Sequence, residues 1–143
     1  MSKVLCKKLH MTQIWKDDHV VPVTVSKVVA GDEEMLQEIK EGGSVTVRGL
    51  SKGKGFQGVV KRHGFHGGPK SHGQKHSLRA PGSIGAMGPQ RTFPGKKMPG
   101  HMGMERVTIK RVVVDFDTQT KTISVKGSVP GMKGTMVELR TRN

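Results

Sequence analysis

The amino-acid sequence predicts a mainly β fold: a small barrel or sandwich of about six short strands, with one short helix and a long extended basic loop. Three observations lead there. Several short runs rich in β-branched residues alternate apolar with polar positions at both ends of the chain. One segment alone carries helical spacing. Between Ser51 and Met104 stand ten Lys and Arg but no Asp or Glu, together with thirteen of the twenty glycines and five of the seven prolines.

The elements follow in order. Val4 to Trp15 places Val4, Cys6, Leu9, Met11 and Ile14 among basic and polar neighbours, and Lys16 to His19 makes a turn. Val20 to Val29 then reads as a second strand, so the two form a hairpin. Cys6 is expected to be a half-buried strand thiol and Trp15 a packing residue. Asp32 to Lys40 has Met35, Leu36 and Ile39 at helical spacing, acids at its start and Gly42 and Gly43 beyond its end, the signature of one capped helix. Ser44 to Leu50, Val107 to Phe116, Thr122 to Val129 and Thr135 to Leu139 supply the remaining strands. The expected division is a first barrel part over 1–50, the loop over 51–104 and closing strands over 105–143.

Charge narrows the partners. A net charge of +14 favours a polyanion. Ordering a Gly-rich loop costs roughly 1–2 kcal/mol per residue, and its few apolar side chains offset little of that. Neutralising phosphates, with release of their counterions, is the strongest stabilisation open to it. A membrane partner is disfavoured, because no apolar run reaches the ~20 residues of a span and the loop lacks an amphipathic helical face. The N-terminal residues contain no signal-peptide h-region, so a cytoplasmic location is expected.

Candidate chemistries fall to context. Gly53, Gly55 and Gly58 match G-x-G-x-x-G, but a dinucleotide site needs a helix after the glycines and an acid about 20 residues on, and no acid lies between these glycines and Glu105. His63, His66, His72 and His76 have no cysteine or carboxylate in the loop to complete a metal site. Ser71 and His72 lack an orienting acid. No enzyme activity, metal, cofactor or small-molecule substrate is therefore expected. The cations of the loop and of its border with the closing strands serve better as RNA contacts: Lys52, Lys54, Lys61, Arg62, Lys70, Lys75, Arg79, Arg91, Lys96, Lys97 and Arg106, with His63, His66, His72, His76 and His101 able to stack or donate. Phe56, Phe65 and Phe93 either stack on bases or anchor the loop.

Five collinear blocks carry a resemblance: KKLHMTQIW at Lys7 to Trp15, SKGKGFQGVVKRHGF at Ser51 to Phe65, HG with RAPGSIG within His72 to Gly85, GKKMPGHMGMERVT at Gly95 to Thr108, and VKGSVPGMKG at Val125 to Gly134. Together they resemble the ribosomal protein uL3 family of bacterial or organellar type, in a shortened form. The resemblance implies a six-stranded translation-protein-like barrel whose extension threads into 23S-type rRNA, early assembly of the large subunit, and neighbouring large-subunit proteins as partners. It also implies a loop tip, here Ser83, Ile84, Gly85, Ala86, Met87, Gly88, Pro89 and Gln90, near the peptidyl transferase centre. Ala86 stands where many bacterial members carry a glutamine that is methylated, so that modification is not expected. Val28 to Gly43 replaces a longer insert and implies a reduced barrel. An RNA-binding module acting off the ribosome is the alternative.

Overall fold

The computed structural model describes residues 3–16, 18–31 and 33–141, with 33–35 as backbone only. It divides into two compact units, 1–52 with 104–143 and 53–103.

The first unit is the barrel. Strands β1 (Val4–Lys16) and β2 (His19–Gly31) form the expected hairpin, longer than the sequence patterning suggested at both ends. A short helix, α1 (Glu33–Glu38), and a turn at Gly42 lead into β3 (Ser44–Leu50). The helix is shorter than expected, and Asp32, its expected first residue, lies outside the described residues. The second unit contains β4 (Gly55–Gln57), α2 (Val59–His63) and β5 (Gly100–Met102). The chain then completes the barrel with β6 (Arg106–Asp117), β7 (Thr122–Lys126) and β8 (Met136–Thr141).

Antiparallel pairing runs β1-β2-β7-β6-β3-β8 and returns to β1, a closed barrel. Closure removes the unpaired edges that an open sheet of this size would expose. One face of each strand fills the interior. Val4 and Cys6 of β1 lie beside Leu139 and Val137 of β8, and Val47 of β3 also pairs with Leu139. Val45, Val113, Ile123, Val125 and Val129 join this buried set, as does Ile39, with partly buried Leu36 packed against it from the α1 segment. The α1 segment thus delivers core side chains to the barrel. Its turn is tied to β6 by paired amides: Gly42 donates to Val113 O and Val113 to Gly43 O, both at 2.9 Å. Gly31 has a steric task, since a Cβ there would stand 2.8 Å from Val4 Cα.

Several expectations are corrected. The loop is not without regular structure: it holds a second helix and a two-stranded ribbon, because Gly58 and the left-handed Gly64 bracket a five-residue helix that periodicity cannot detect. The strand expected to reach Val129 stops at Lys126, where Gly127 takes φ +80°. Trp15 is 70% exposed, because the outer half of the hairpin gains no third strand among the described residues. Cys6 is fully buried rather than half-buried, and burial pushes its thiol up to about 12. The thiolate is the nucleophile, so native protein is expected to resist iodoacetamide at neutral pH while the denatured chain takes one equivalent. Rapid native labelling would show that the barrel opens near β1.

Lys8 follows Cys6 on the inward face and is itself buried. Its ammonium donates to Val129 O and Gly131 O, each at 3.0 Å, while its backbone exchanges hydrogen bonds with Gly134 and Thr135. One lysine therefore clasps the whole Gly127–Gly134 loop. Burial first, and the positive charge of Lys52 second, lowers its pKa from 10.5.

Candidate nucleic-acid interface

The two arms leave the barrel side by side at Ser51 and Glu105. The Ser51 amide donates to Glu105 O at 2.9 Å, and the Glu105 amide donates to Ser51 Oγ at 3.3 Å. In the second unit, Gly55, Phe56 and Gln57 pair with Met102, His101 and Gly100. Pairing of the outgoing and returning arms gives a Gly-rich segment a defined path that its own apolar content could not hold.

The sixteen cationic and histidine positions expected to face RNA divide into two groups. Lys52, Lys54, Lys61, His66, Lys70, His72, Lys75, His76, Arg79, Arg91, Lys96, Lys97, His101 and Arg106 are all exposed. Arg62 and His63 are half-buried and occupied within the chain. Arg62 Nη1 donates to Met98 O at 2.7 Å, and His63 Nε2 lies 3.0 Å from the same oxygen. Their position on α2 points them at the returning arm, and Gly100 leaves the guanidinium room, since a Cβ there would sit 2.7 Å from Nη1. They brace the extension by holding its returning arm. Spacing carries no sign of this, because Met98 lies on the other arm.

The tip residues Ser83 to Gln90 are exposed throughout. Ser83 Oγ donates to Gly85 O at 2.9 Å, the Gly88–Pro89 bond is cis, and Met87 is 90% exposed. Of the phenylalanines, Phe56 and Phe93 are exposed, whereas Phe65 is half-buried with its ring 6.1 Å from that of His63.

The glycines of the G-x-G-x-x-G match do precede a helix, but α2 has only five residues and no acid follows in the extension. Among the described residues no group of three or more His, Cys, Asp or Glu is placed to hold a metal ion, and no helix is long and apolar enough to cross a membrane. Carboxylates belong to the barrel instead, where Glu138 pairs with Arg140 at 2.7 Å and is held below the usual carboxylate range by that contact.

Fold and charge together define a class: small closed β-barrels that carry a cationic, carboxylate-free extension suited to a polyanion. Within that class, the chain belongs to the ribosomal protein L3 family, whose model matches residues 18–122. It is 47% identical over 116 residues to large ribosomal subunit protein uL3 of Oceanobacillus iheyensis, covering 80% of this chain and 55% of that protein. The uL3 proteins of Carboxydothermus hydrogenoformans (51% over 113 residues, 75% and 54% covered) and Chlorobium phaeovibrioides (48% over 115 residues, 79% and 55%) are similar to it as well. The chain spans about half the length of these relatives.

Proposed function

We propose that this chain is a structural constituent of the large ribosomal subunit, binding 23S-type rRNA through residues 51–104 while 1–50 and 105–143 form its barrel. The observation that carries the reading is an extension, residues 51–104, in which thirteen of the fifteen expected contacts are exposed and which contains no carboxylate. Phosphates repel carboxylates, and lysine and arginine displace phosphate counterions into solvent, so such a surface favours a polyanion. Membership of the L3 family supports the choice of rRNA over other polyanions. On this reading the protein joins the subunit early, beside other large-subunit proteins, and Ser83–Gln90 approaches the peptidyl transferase centre.

Sucrose-gradient fractionation of cell lysate at moderate and then high salt, with the chain followed by mass spectrometry, tests it. Stoichiometric presence in the large-subunit fraction after the high-salt wash is expected. Recovery only in light fractions would overturn the reading and point to an RNA-binding module off the ribosome.

A further inference from the structure

Within the extension, residues 65–82 double back on themselves. The Gly68 amide donates to Leu78 O at 2.9 Å and the Ala80 amide to Ser77 O at 3.2 Å, while the Gln74 side-chain amide donates to the Ser77 hydroxyl. Gly67 has φ +78°, and a Cβ there would collide with the Leu78 carbonyl oxygen. A Cβ on Gly68 would stand 2.9 Å from the Gln74 amide nitrogen. These two glycines let the outgoing and returning backbones touch. What they enclose is a cup of about 520 Å³, within the ~300–1,000 Å³ of small-ligand sites. Phe65, Ala80 and Pro81 contribute apolar wall, and Gln74 and Ser77 contribute polar groups. Lys70, Lys75 and Arg79 are exposed on the same excursion.

We infer that this cup receives one unstacked nucleotide of RNA, base inward. The inference rests on the rRNA-binding reading and deepens it to a defined subsite. An aromatic ring and apolar wall do nothing for a phosphate, and a cationic surround does nothing for an apolar peptide. A splayed nucleotide uses both: its base offers a π face to Phe65, and its flanking phosphates offer charge to the lysines. A glutamine amide has two N–H donors and an acceptor oxygen. With one N–H committed to Ser77, Gln74 retains one donor and one acceptor for the edge of a base. Because the backbone contacts already shape the cup, little ordering is left for binding to impose.

The test uses the full chain and an in vitro transcript of large-subunit rRNA. After ultraviolet crosslinking and peptide sequencing, a nucleotide attached within residues 65–82 is expected. Ala80→Phe fills the cup and should weaken binding roughly tenfold, the scale of one lost base stack. The slope of log affinity against log salt should stay unchanged, because no phosphate contact is removed. Gln74→Ala with Ser77→Ala adds no volume and should weaken binding in the same direction. Wild-type affinity in both variants, or wild-type crosslinks only outside 65–82, overturns the cup while leaving rRNA binding intact. Crosslinks from 65–82 to protein instead of RNA in intact subunits also overturn it. Failure of the wild-type chain to bind the transcript overturns the rRNA reading as well.

Discussion

Replacing Lys52, Lys54 and Lys61 together with alanine is expected to weaken binding to large-subunit rRNA by roughly a hundredfold at ~0.15 M salt. All three side chains are exposed and none has a carboxylate partner among the described residues. Each phosphate contact contributes about 0.7–0.9 to the slope of log affinity against log salt, so the triple variant should flatten that slope by about 2 to 3. Arg62 is left in place deliberately. Its guanidinium holds Met98 O, and changing it would mix loss of charge with loss of the brace between the arms. Filter binding of the transcript across a salt series gives the answer. An unchanged slope would mean that the outgoing arm does not track the phosphate backbone, and the contacts would then have to lie beyond residue 62.

Lys8→Met is expected to cost about 2–4 kcal/mol of stability, measured by urea unfolding, because two acceptors, Val129 O and Gly131 O, lose their donor. A buried polar group left without a partner costs about 1–3 kcal/mol, and relief from burying an ammonium offsets part of the sum. Methionine retains most of the apolar stem, so packing changes little. The pH dependence carries a sign. Burial holds the folded pKa of Lys8 below 10.5, with the charge of Lys52 acting in the same direction. Through the interval between the folded value and 10.5 the unfolded chain binds more protons, so stability rises with pH there. The advantage of wild type over Lys8→Met should therefore grow as pH climbs from neutrality toward 10.5. An advantage that shrinks over that interval would show that the ammonium is not penalised by its burial.

The barrel was largely legible in the sequence because its signal is local. Val45 and Val47, or Val137 and Leu139, alternate with polar residues over a few positions, and one face of a strand must go inward. The helix near Leu36 and Ile39 was legible for the same reason. Its actual bounds were not, since ends depend on what the flanking turn bonds to, here Val113 of β6. Lys8 was not legible at all. A lysine on an inward strand position looks like an irregularity until the Gly127–Gly134 loop, far along the chain, supplies two carbonyl oxygens. Trp15 failed in the opposite sense: an aromatic residue in a strand is usually packed, but packing needs a neighbour, and the outer hairpin has none among the described strands.

In the extension, charge and carboxylate depletion are properties of composition, and they are what favours the proposed polyanionic partner. The sequence also determined where the extension interrupts the strands, because Gly and Pro crowding ends the period-2 pattern at Leu50 and the pattern resumes near Val107. Tertiary structure decided which cations are available. Arg62 and His63 are aimed by α2 at the returning arm whereas Lys61 is exposed, and Met98 meets them through chain return rather than spacing. It also decided that Phe65, Gln74, Ser77 and Ala80 border one cup, since Gly67 and Gly68 allow a backbone approach that no one-dimensional pattern records. Local chemistry repeats along a chain and can be read there; a contact between distant residues exists only once the backbone has closed the loop between them.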